Sequence, residues 1–219
     1  MFDLMLKPKF YSKCKSALKI NKVRLETIKK KRNAVENFLK KDIAELLKKD
    51  LDYNAYGRTD GLMIEQNRTA CYKFIEQFSQ CISKHFSLMQ KQSECPEECR
   101  EAVASLIYAA ARFADLPEVR TLRTLFTEKY GNPLEPYLNR EFVEKLQAEP
   151  PRKEMKLQLM HAIAQEFSIE WDSKALEQTL FKPPPSEQVI QSSAQDSLDE
   201  SDDDGYKSYR RKDDTVRLQ

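Results

Sequence analysis

From residue 10 to residue 56 the chain contains neither proline nor glycine, and this uninterrupted stretch limits the fold more than any other feature. Proline and glycine are the residues that stop helices. Within the stretch Cys14, Leu18, Leu25, Ile28, Val35, Leu39, Ile43 and Leu46 recur at intervals of three, four and seven, one apolar stripe at helical period. The pattern predicts one helix of about forty residues, about 60 Å long at 1.5 Å per residue. With four glycines in 219 residues and 33 % charged residues, the chain is too poor in turn formers for a β fold. The expected class is all-α.

Charge is distributed unevenly along the chain. Residues 1–49 hold fifteen Lys/Arg against five Asp/Glu, whereas residues 50–181 hold sixteen against twenty-one. On the long helix Lys15, Lys19, Lys22, Lys30, Lys40, Lys41 and Lys48 lie away from the apolar stripe. Only Glu26, Glu36 and Glu45 interleave with them as close partners. A cationic surplus of this kind suits an anionic membrane surface or an acidic partner.

The next break is expected at Tyr56-Gly57-Arg58-Thr59-Asp60-Gly61. A second long helix then carries Cys71, Phe74, Phe78, Cys81, Ile82 and Leu88 inward and ends near Gln92, making an antiparallel hairpin with the first. Shorter helices follow. Pro96-Glu97-Glu98 opens one through Cys99, Val103, Leu106 and Ala110. Asp115-Leu116-Pro117-Glu118 has the spacing of a capping box and opens another that Gly131 closes. Asn139 caps a helix through Leu146, and Leu157, Met160, Ile163, Ala164 and Phe167 mark one more. Trp171 falls at a turn before a last helical turn over residues 173–180. After Pro183-Pro184-Pro185 the composition shifts to Ser, Gln and Asp, which predicts a folded domain over 1–182 and a disordered acidic tail over 183–219.

Several function classes find little support. No apolar run reaches the roughly eighteen residues of a spanning helix, and residues 1–10 lack the pattern of a secretory signal. The odd set Cys14, Cys71, Cys81, Cys95 and Cys99 reads as reduced thiols in a cytosolic protein. His85 and His161 stand far apart, and neither a His-Glu-x-x-His motif nor a phosphate-binding glycine loop occurs. Cys95 and Cys99 have three residues between them and no second pair, so they read as structural rather than zinc-binding. No enzyme, cofactor or metal is expected.

The segment Leu106-Ile107-Tyr108-Ala109-Ala110-Ala111-Arg112-Phe113-Ala114-Asp115-Leu116-Pro117-Glu118-Val119, continuing through Leu122-Arg123 and Phe126 to Lys129-Tyr130-Gly131, resembles the signature of the increased-sodium-tolerance family. Its members are ESCRT-III-like regulators of the vacuolar protein sorting AAA ATPase in the multivesicular body pathway. Cys14-Lys15-Ser16-Ala17-Leu18-Lys19 and Ala164-Gln165-Glu166-Phe167-Ser168-Ile169-Glu170-Trp171-Asp172 agree with it.

The resemblance implies an ESCRT-III-like helical core and a role as adaptor in endosomal membrane remodelling. Partners would be ESCRT-III subunits of the charged multivesicular body protein type, and the ATPase directly or through them. It further implies homo- or co-polymers and a cytoplasmic protein held peripherally at endosomal membrane. Arg112, Asp115, Pro117, Arg123, Tyr130, Gly131 and Trp171 are then signature residues that maintain the fold. Arg112 and Arg123 are expected to pair with Asp115 or Glu118. Family members commonly end in a leucine-bearing helix that binds the ATPase; residues 186–219 hold only Leu198 and Leu218 as leucines. The main alternative is a basic helical nucleic-acid-binding protein, against which stands the lack of aromatic residues for base stacking on the lysine face.

Overall fold

The computed structural model describes residues 3–131, 134–147 and 149–182, with side chains from residue 10 onward. The division at 182/183 and the character of the tail lie outside the described residues. Eight α-helices and one short 3-10 turn occur among them, and no strand. Helix α1 (Asp3–Leu47) and α2 (Asp52–Lys84) are the long pair, and α3 (Phe86–Lys91) continues α2 past a break at His85. Then come α4 (Glu97–Ala109), α5 (Pro117–Tyr130), α6 (Arg140–Leu146), α7 (Lys153–Glu166) and α8 (Lys174–Leu180). With 45 residues, α1 is about 68 Å long. Partners across the long pair step in opposite directions, from Asn21 with Ser79 through Lys29 with Glu76 to Arg32 with Glu65, so the hairpin is antiparallel.

The hairpin turns earlier than its glycines suggest. The Leu51 N–H bonds the Leu46 carbonyl, the Asp50 N–H bonds the Leu47 carbonyl, and Asp50 adopts φ 56°. This is a Schellman motif with an aspartate in the left-handed position usually given to glycine. Helix α2 then runs straight through Gly57 and Gly61, which are exposed, while Ala55, Thr59 and Leu62 on the other side are buried. Burial of that side outweighs the weak helix propensity of two glycines, about 1 kcal/mol each. A second motif of the same kind, with Ser168 at φ 53°, ends α7.

Two apolar clusters stabilise the hairpin, one toward each end. The larger packs α4, α5 and α6 on α1 and α2, and Phe142 of α6 is its centre: it is fully buried and touches the rings of Phe74, Phe78, Tyr108 and Phe113 at 5.6–6.3 Å. The smaller lies at the hairpin tip, where Leu157, Met160 and Ile163 of α7 and Leu176 of α8 cover Ile43, Leu47 and Leu62. Between Leu25 and Ile43 no residue of α1 is fully buried. Val35, expected inward, is 37 % exposed. The long helices meet there through ions: Lys29 with Glu76 at 2.6 Å, and Arg32 bidentate on Glu65 at 3.0 and 2.9 Å with its guanidinium 5.7 Å from the Tyr72 ring centre. A polar waist of this kind fixes the register of a helix pair, because sliding by one turn strands both charges.

Candidate functional site

The signature residues divide into separate places in the fold. At the corner between α4 and α5 the expected capping box does not form: Leu116 is the cap residue, Pro117 opens the helix, and no side chain caps it. Asp115 instead accepts a hydrogen bond from the buried Tyr72 hydroxyl. Glu118 takes both arms of Arg24 from α1 at 2.9 and 2.8 Å. Burial works to raise the Glu118 carboxyl, but the Arg24 hydrogen bond, its own backbone N–H and the Arg24 charge outweigh it, leaving the group below its ordinary range. These two acids tie the corner to the hairpin and are not free for Arg112 or Arg123. Arg112 lies over the Tyr108 ring at 3.4 Å and donates to the Tyr108 carbonyl. Arg123 is exposed with no ion pair among the described residues. Gly131 adopts φ 70° after Tyr130, as a helix-ending glycine does. The Tyr130 hydroxyl is buried without a hydrogen-bond partner among the described residues.

Trp171 belongs to the hairpin tip. Its indole N–H donates to Asp52 at the start of α2 at 3.0 Å, and its ring lies 4.7 Å from His161. It locks the turn between α7 and α8 onto the tip.

The lysines of α1 form the surface that internal contacts leave over. Lys15, Lys19, Lys22, Lys30 and Lys41 are exposed and have no ion pair among the described residues. Lys40 differs, reaching Glu166 of α7 at 2.7 Å, and Lys48 holds Glu45 at 3.0 Å. Glu36 makes no ion pair with the row among the described residues, where one of its carboxylate oxygens is buried without a hydrogen-bond partner. Lys15, Lys19 and Lys22 border a groove of about 560 Å³ between α1 and α2, with Leu18 and Leu25 on its wall and Ser79 opposite. Ile20, Val23 and Phe38, exposed by 49, 60 and 69 %, stand beside these lysines. The sequence reading gave this face no aromatic residue; Phe38 adds one, one turn from Lys41, which is too few for a stacking series.

Sequence reasoning did not single out Arg24, the cation that ties α5 to the hairpin, or Lys29 and Arg32, which join its two long helices. Nothing in their spacing separates them from the lysines that have no ion pair among the described residues. Their acidic partners lie 33 to 94 residues away, beyond the reach of any helical period.

Comparison with known proteins bears on the whole helical unit. The family model "Ist1: Regulator of Vps4 activity in the MVB pathway" matches residues 15–170. An IST1-like protein of Dictyostelium discoideum is 25 % identical over 181 residues, covering 79 % of this chain and 47 % of the relative; the chain thus spans about half the length of that protein. Among solved structures, the N-terminal domain of Ist1 from S. cerevisiae, crystallised in complex with the Did2 MIM motif, superposes with a TM-score of 0.67. It is 19 % identical, and the match covers 75 % of this chain and 95 % of that domain.

Proposed function

The chain belongs to the Ist1 family, regulators of Vps4 activity in the multivesicular body pathway, and from that premise we propose that it is an adaptor without enzymatic activity of its own. It joins ESCRT-III subunits at endosomal membrane and modulates the ATPase that remodels them. The observation that carries the reading is the row of α1 cations with no ion pair among the described residues, set beside exposed apolar side chains, on a helical unit the family model covers over residues 15–170. Lysines at the level of lipid phosphates with Ile20, Val23 and Phe38 among them have the composition of an interfacial helix face. Each basic residue near an anionic leaflet contributes about 1 kcal/mol, a weak attraction that becomes strong when subunits assemble side by side. Nothing among the described residues is long and apolar enough to cross a membrane, and peripheral attachment fits that.

The S. cerevisiae neighbour was crystallised with the Did2 MIM motif. By analogy this chain binds an ESCRT-III subunit through such a segment. The test is the steady-state hydrolysis rate of a Vps4-type ATPase with and without an ESCRT-III subunit, as the purified chain is titrated in. The proposal expects a change in rate that requires the subunit. An unchanged rate, together with no capture of the subunit by the chain, contradicts it.

A further inference from the structure

Where α2 breaks, the fold gathers three metal-binding side chains from two helices. Cys81 and His85 are one helical turn apart, and the first turn of α4 brings Cys99 to them. The Cys81 Sγ lies 3.8 Å from His85 Nδ1, and the donor atoms of all three residues are within 4.8 Å of one another. Tetrahedral zinc with arms of about 2.3 Å to sulfur and about 2.0 Å to nitrogen needs donor separations of about 3.5–3.8 Å. The observed set is therefore within about 1 Å of closing on an ion.

The geometry points to a zinc site formed by Cys81, His85 and Cys99, with a fourth position open to water. Cys99 is fully buried whereas Cys81 and His85 are half-buried, so the ion has a floor and an entry path. Both thiols release their protons to solvent on binding and His85 supplies a ring lone pair, so a divalent ion and two thiolates leave the site neutral. His85 Nδ1 sits 3.0 Å from the Cys81 carbonyl, and the Cys81 thiol donates to the Glu98 carbonyl at 3.3 Å. Both contacts are given up for the ion. The nearby carboxylates of Glu98 and Glu101 favour a cation there. Mechanically the ion would staple the break at His85 to α4, bridging the short helix α3 and the five residues that follow it. Cys95, one half of the pair that the sequence offered, is not a ligand of this site.

Cobalt titration of the reduced, metal-free full chain tests it, read by the d–d bands of tetrahedral Co²⁺ and the thiolate charge-transfer band, followed by displacement with zinc. One equivalent with a tetrahedral spectrum is expected, weakened by about 10-fold or more in Cys81→Ser and in His85→Gln, and unchanged in Cys71→Ala. Because Cys81 and His85 are half-buried, these variants keep the fold, which circular dichroism checks. Zinc should raise the Tm of the wild type and leave that of His85→Gln in place. A six-coordinate spectrum overturns the site, and so does a tetrahedral one that survives in both variants.

Discussion

At the scale of single residues, the fold spends its acids and thiols on structure. Burial pushes the thiols of Cys14 and Cys99 up to about 12, and those of Cys71 and Cys95 up to about 11. At neutral pH all four are protonated and shielded, hence poor nucleophiles. In the metal-free native chain a disulfide reagent should modify Cys81 first, the others following only on unfolding; mass mapping of the labelled peptides checks the order. Glu118 titrates below its ordinary 4.5, so its stabilising effect is present above that pH and fades as pH falls through the folded value. Glu118→Gln should therefore lower the Tm at pH 7, a penalty that begins to fade near pH 4.5 and is gone only below the depressed folded value, as thermal melts of the two proteins will show. Helix-capping rules placed Asp115 and Glu118 at the right corner and gave them the wrong partners. Capping is a local rule, and Tyr72 and Arg24 arrive from distant helices.

At the scale of elements, the helices were legible wherever an apolar stripe was long enough to show its period. Asn139 caps α6 as its position suggests, its side chain accepting from the Phe142 N–H at 2.8 Å. The hairpin turn was misplaced because Asp50, which has no special mark in sequence, takes the left-handed turn, whereas Gly57 and Gly61 are surface positions of α2. A Cβ at either glycine would meet nothing within 4 Å. Gly57→Ala and Gly61→Ala should each raise stability by about 0.5–1 kcal/mol, measured by urea unfolding; a loss of stability would place the turn back at the glycines. The waist of α1 was equally hidden. Arg32 and Glu65 read as ordinary charged residues until the hairpin brings them together.

At the scale of the whole molecule, the two ends of the hairpin are covered by apolar helices and one long basic face is not. The all-α class, the antiparallel hairpin and the shorter helices packed on it were visible in the distribution of proline, glycine and apolar residues. Which cations would lack an ion pair was not: Lys40 and Lys48 find internal partners, whereas Lys15, Lys19, Lys22, Lys30 and Lys41 have none among the described residues. That difference depends on where Glu166 and Glu45 end up, which is a property of the packed molecule. It also sharpens the choice of residues for the decisive experiment. Co-sedimentation with anionic and neutral liposomes across a salt series, comparing the wild type with a variant in which Lys15, Lys19, Lys22 and Lys30 become Glu, tests the central claim most directly. The account predicts binding to anionic vesicles alone, weakened by salt and abolished in the variant; a wild type that ignores anionic vesicles at low salt, or a variant that binds them as well, would contradict it.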